Sequence, residues 1–96
     1  MGLGMRRYIA IVHEEGDSAY CVWFPDLPGC YGAGETEDEA LASAKKSLMI
    51  YAEDASNGGE ALPAPCTLQE LLKDEAVLDS LNKSNGFLAA IPLVVH

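Results

Sequence analysis

The sequence predicts an α+β domain in the order β-β-β-α-α-β, with one long helix packed on a mostly antiparallel sheet. Three observations carry that expectation. Two β-branched and aromatic runs near the N-terminus are joined by a short polar loop containing glycine, the pattern of a hairpin. A long amphipathic stretch with a capping signature follows. After it the chain returns to an aliphatic run that ends beside the C-terminus.

The elements follow in order. Positions 6–13 are apolar and β-branched for most of their length, which suits a strand covered on both faces. Glu14, Glu15, Gly16 and Asp17 break it with turn chemistry. Positions 18–24, ending in Val22, Trp23 and Phe24, form the second strand. Pro25 to Gly29 ends it, with Pro28 suited to the second position of a turn and Gly29 to the positive φ of the third. Cys30 to Ala33 then returns as a short third strand.

Thr36, Glu37, Asp38 and Glu39 read as a capping box, in which the Thr36 hydroxyl accepts from the Glu39 amide and the Glu39 carboxylate reaches back to the Thr36 amide. The acidic first turn complements the helix dipole. Leu41, Ala44, Leu48, Tyr51 and Ala55 recur at intervals of three and four, so that stripe is expected on the sheet, and Asn57, Gly58 and Gly59 end the helix. Pro63, Ala64 and Pro65 make a stiff connector. Thr67 and Glu70 repeat the capping signature, and a second helical region is expected to run to about Leu81. Ser84, Asn85 and Gly86 turn the chain into a final strand from Phe87 to Val95, where Pro92 demands an edge or a bulge.

With 96 residues the chain is expected to form one domain over positions 1–96, the glycine-rich leader at 1–5 standing apart as a cloning scar or the result of an alternative start. Fifteen acidic against six basic residues give a net charge of −9, the reverse of what phosphate binding needs. Nucleic acid is therefore a poor primary partner and a small basic protein a better one. Cys21, Cys30 and Cys66 are odd in number and form no Cys-x-x-Cys pair, so neither a disulfide framework nor a zinc site is implied. No apolar run approaches the ~20 residues of a membrane helix. The expected setting is cytoplasmic, with no metal or cofactor.

Tyr8-Ile-Ala-Ile-Val-His13, then Val22-Trp-Phe-Pro-Asp-Leu-Pro-Gly-Cys30, then Gly34 to Lys45 with its Thr-x-x-Glu-Ala helix start, and the Leu62 to Pro65 connector together resemble the N-terminal domain of HicB-type antitoxins. The resemblance covers most of the chain. It implies a truncated ribonuclease H-like fold without that fold's catalytic carboxylates. It also implies a role in neutralising a small, basic, mRNA-cleaving toxin of the HicA type. Family members commonly carry a C-terminal DNA-binding segment, whereas this sequence ends at His96, so no direct DNA binding is expected of it.

The expected toxin contacts are Trp23, Phe24, Asp26, Leu27, Glu35 and Asp38. Trp23 and Phe24 are aromatic anchors of the kind that dominate interfaces, although adjacent strand residues face opposite sides and one of the pair is due in the core. Asp26 has three readings: an organiser of its own turn, a ligand for a basic toxin side chain, or one carboxylate of a metal site. Ten acidic residues against two lysines between Glu14 and Asp54, a local balance of −8, are either a face that meets the toxin or a solvated surface. Cys30 with His13 could form a thiolate and base, but nothing supplies an orienting third group, and an inert cysteine is the simpler reading.

Ile91, Leu93 and Val95 on the last strand are expected at an edge that pairs with a second copy, a homodimer being the default, or with the partner. The function expected is that of a non-enzymatic antitoxin that occludes the toxin's RNA-binding face. The competing classes are a metal-dependent ribonuclease H-like nuclease using Asp26 with Glu35 or Asp38, and a free-standing RNA-binding module.

Overall fold

The computed structural model describes residues 5–16, 19–83 and 85–94. They form β1 (Met5–Glu15), β2 (Ala19–Trp23), β3 (Tyr31–Gly34), α1 (Glu37–Asn57), α2 (Leu68–Leu71), α3 (Glu75–Lys83) and β4 (Phe87–Val94). The four strands make one sheet in the order β3-β2-β1-β4, antiparallel at every pairing. The expected α+β architecture holds. The 1–4 part of the leader, Asp17, Ser18, Ser84 and Val95 lie outside the described residues.

Strand alternation sorts the sheet into two faces. Tyr8, Ala10 and Val12 of β1, Val22 of β2, and Ile91 and Leu93 of β4 join Phe24, Leu27 and Cys30 in a core closed by Ala40, Ala44 and Leu48 of α1. The helix stripe therefore starts at Ala40, with Leu41 only partly buried. The reason is close approach: a Cβ on Gly32 would stand 2.5 Å from the Ala44 nitrogen, and one on Gly34 2.5 Å from the Ala40 nitrogen. Only small residues on both sides let α1 lie that close to β3.

On the opposite face α3 packs against β1, where Ile11 and Val77 are fully buried. Both faces of β1 are thus covered, as its continuous apolar run requires. The second helical region is two helices, because the Asp74 carboxylate accepts from the Ala76 amide at 2.9 Å and starts α3 afresh.

The expected Pro28-Gly29 turn is present, with Gly29 at φ 87° and the Cys30 amide donating to the Leu27 carbonyl at 3.1 Å. β3 begins one residue later than expected. At the α1 cap, Glu39 donates its amide to Thr36 Oγ1 at 3.1 Å, while its carboxylate accepts from the Glu35 amide at 3.0 Å and not from Thr36.

Candidate functional site

Cross-strand register sets one row of side chains across the whole sheet on the face away from α1. Tyr31 faces Trp23, Trp23 faces Ile11, and Ile11 faces Leu88. Ile11 lies buried beneath the α3 layer, whereas Trp23 is half-buried and Tyr31 is 64% exposed. The row therefore runs from a closed centre to an open aromatic end. A second row, Ala33 facing Cys21 facing His13, adds small residues beside the aromatic pair.

These residues line an open groove of ≈ 510 Å³, bounded by Trp23 and Tyr31, floored by Cys21, Gly32 and Ala33, and reached by His13, Glu15 and Ser43. His13 Nδ1 lies 3.5 Å from the Glu15 carboxylate. Tyr31 also lines a neighbouring cleft of ≈ 360 Å³ with Ile50, Tyr51, Ser47 and Asp54. Ile50 is 49% exposed. Tyr31 is thus the ridge between two concavities, and the exposed apolar surface continues from Trp23 over Tyr31 to α1.

Acidic groups gather at the other end of the hairpin. Glu14 and Glu37 line a cleft of ≈ 310 Å³ with Tyr20, Asn85 and Phe87, and the Asn85 side chain donates to Glu14 at 2.8 Å. Glu35 and Asp38 are exposed at the start of α1.

Several expected positions turn out otherwise. Phe24 and Leu27 are core residues, 2% and 0% exposed, and cannot act as surface anchors. The expectation that one aromatic of the Trp23-Phe24 pair turns inward is met by Phe24. Ile91 and Leu93 are buried at 5% and 4%, so β4 offers its main chain at the edge and not those side chains. Asp26 does not organise its own turn: its carboxylate accepts the backbone N–H of Cys66 at 2.9 Å. Cys30 is buried in the α1-facing core, where burial pushes its thiol pKa up, and His13 stands opposite Cys21 instead. Among the described residues no group of three His, Cys, Asp or Glu side chains could hold a metal ion, and no helix is long and apolar enough to cross a membrane.

Tyr31 and the groove were not singled out from the sequence. Residues 24–30 separate Trp23 from Tyr31, and their placement on one face follows from the β2-β3 register.

A family model described as the HicB-like antitoxin of bacterial toxin-antitoxin systems matches residues 8–84. A UPF0150 protein of Thermoplasma acidophilum is 35% identical over 57 residues, covering 59% of this chain and 83% of that protein. The antitoxin HicB 2 of Photorhabdus laumondii is 31% identical over 70 residues, which are 73% of this chain but 49% of that antitoxin, so the match spans about half of the relative's length. Among solved structures, a chain of the HicA3 and HicB3 toxin-antitoxin complex superposes with a TM-score of 0.68 at 22% identity, covering 88% of this chain and 94% of that one. That likeness concerns the fold.

Proposed function

The chain belongs to the HicB-like antitoxin family, and from that premise we propose that it binds and neutralises a HicA-type toxin by covering the toxin's RNA-binding face. The observation that carries the proposal is the Trp23-Tyr31 pair. Two aromatic rings in cross-strand register stand open beside a ≈ 510 Å³ groove, on a sheet whose other face is already filled by α1. Aromatic anchors at the centre of a surface supply most of the binding energy in protein interfaces.

The mechanism is occlusion and requires no chemistry from this chain. The rigid strands hold Trp23 and Tyr31 in place before the partner arrives, so little ordering entropy is lost on association. The acidic groups nearby, Glu15 at one end of the groove and Glu14, Glu35, Glu37 and Asp38 at the hairpin's far end, attract a basic protein and compete with RNA phosphate for its cations. Asp26 serves this surface indirectly, by fixing the loop that separates Trp23 from Tyr31.

The test is calorimetric titration of a purified HicA-type toxin with this chain and with its Trp23→Ala and Tyr31→Ala variants. Tight binding by the parent chain and weakened binding by both folded variants is expected. Equal affinity for all three would exclude this face.

A further inference from the structure

We propose that the groove beside Trp23 and Tyr31 seats an arginine side chain of the partner, its guanidinium lying on the two aromatic rings and meeting the Glu15 carboxylate. The inference rests on the toxin-facing reading of this surface and names the side chain that the surface selects.

The seat follows from three successive rows of the sheet. Tyr31, Trp23 and Ile11 form the first, and Ala33, Cys21 and His13 the second. Glu15 lies opposite Ala19 in the third. Rows on one face of a strand are about 7 Å apart, so the aromatic row and the Glu15 row stand roughly 13 Å from each other. Between them Ala33 and Cys21 are small and fill little of the gap. The result is a trough with an apolar floor, aromatic rings at one end and a carboxylate at the other.

The carboxylate leans over that trough, lying 3.5 Å from Nδ1 of His13 in the middle row. Its charge is felt at the floor as well: the Cys21 thiol is pushed up first by burial and then by the negative charge of Glu15. No lysine or arginine is among the residues that line the groove. The lining thus supplies no basic side chain of its own to meet Glu15.

Chemistry narrows the occupant. A phosphate or carboxylate would meet Glu15 with like charge. A purely apolar side chain would press on that carboxylate and strip its water without offering a counter-charge. An ammonium would offer the charge, but as a compact, strongly hydrated point it gains less from the rings. A guanidinium satisfies both ends: its plane stacks on tryptophan and tyrosine faces, and its forked N–H groups donate to a carboxylate in pairs.

Trp23 is the single tryptophan of the chain, so its emission reports the seat directly. The test titrates hexa-arginine and hexa-lysine peptides, equal in charge, into the full chain and into Glu15→Gln and Glu60→Gln. Each variant removes one negative charge, but Glu60 lines a separate cleft with Tyr51 and Pro63. Hexa-arginine is expected to change Trp23 emission and to bind at least tenfold more tightly than hexa-lysine. Glu15→Gln should weaken hexa-arginine at least fivefold and Glu60→Gln less than twofold. Circular dichroism checks both folds, and the arginine-to-lysine ratio of the parent chain decides if Glu15→Gln fails to fold. Equal affinity for the two peptides, no change of emission with either, or a folded Glu15→Gln no weaker than Glu60→Gln would overturn the proposal. Toxin binding that depends on Trp23 alongside equal peptide affinities would overturn the arginine seat alone. Arginine-selective binding without toxin binding would uphold the seat and overturn the toxin-facing reading.

Discussion

The Asp26 carboxylate accepts the backbone N–H of Cys66 at 2.9 Å, joining the loop after β2 to a connector 40 residues further along the chain. A second clamp holds the same connector: Tyr8 donates its hydroxyl to the Pro63 carbonyl at 2.6 Å, reaching out of the core from β1. The stretch between α1 and α2 has no helix or strand of its own, and these two bonds supply long-range order in its place.

Removing the carboxylate should loosen the connector and the loop together. Asp26→Ala is expected to lower unfolding stability by about 1–2 kcal/mol, the cost of leaving a partly buried amide without its acceptor. Asp26→Asn keeps an acceptor oxygen and should lose less than half as much. Urea unfolding of the three proteins checks both.

The same carboxylate also accepts from the Cys66 thiol and so controls its titration. Donation to Asp26, with smaller contributions from burial and the negative charges of Asp26 and Glu70, pushes the Cys66 pKa up to about 11. A raised folded-state pKa means that the stabilisation is fully present below the ordinary thiol range and is lost as pH rises through about 11. Replacing Asp26 by Asn should return the thiol toward its ordinary range. Alkylation of Cys66 at pH 8 should then quicken about tenfold, since the gain in thiolate outweighs its lower intrinsic nucleophilicity. Mass-spectrometric mapping of iodoacetamide labelling measures this, and an unchanged rate would refute the assignment.

Gly32, like Gly34, has no room for one added methyl group. Its Cβ would stand 2.5 Å, 2.7 Å and 2.9 Å from the Ala44 nitrogen, Cα and Cβ, two of them main-chain atoms that cannot rotate aside. Gly32→Ala is expected to push α1 off β3 and to cost about 3 kcal/mol, at the upper end of overpacking effects. Gly29→Ala meets no atom within 4 Å and should suffer only from its positive φ of 87°. Thermal denaturation of the two variants separates steric from conformational cost.

Much of this fold was legible because local chemistry and packing agree. The Pro28-Gly29 turn, the Thr36 and Thr67 caps and the hairpin each rest on residues close in sequence. The long-range features were not legible. Nothing near Asp26 in sequence points to Cys66, so the carboxylate read as a turn residue or a site residue. Leu27 follows a proline and an aspartate and resembles a loop residue, yet the loop folds inward and buries it completely. Gly32 read only as one residue of a short strand, and nothing in the sequence shows that it and Gly34 admit a helix. The aromatic site was half visible: Trp23 was expected, but Tyr31 depended on a strand register that only the sheet reveals.

Trp23 and Phe24 are adjacent, and their substitutions should separate function from stability. Phe24→Ala, at 2% exposure, is expected to cost about 3–5 kcal/mol of stability as a large core truncation. Trp23→Ala should unfold with a much smaller loss but bind a HicA-type toxin about thirtyfold more weakly, the effect of losing an interface hot spot of roughly 2 kcal/mol. Parallel unfolding and calorimetric titrations give both quantities. A Trp23→Ala variant that binds like the parent would relocate the toxin-binding surface.

Occlusion of the toxin is measured by titrating this chain into a model mRNA cleavage reaction run by a purified HicA-type toxin, ideally one encoded beside it, at low and high salt. Cleavage is expected to stop near a stoichiometric ratio, with the onset of inhibition slowed as salt screens the acidic surface. Full cleavage in the presence of excess folded chain would contradict it.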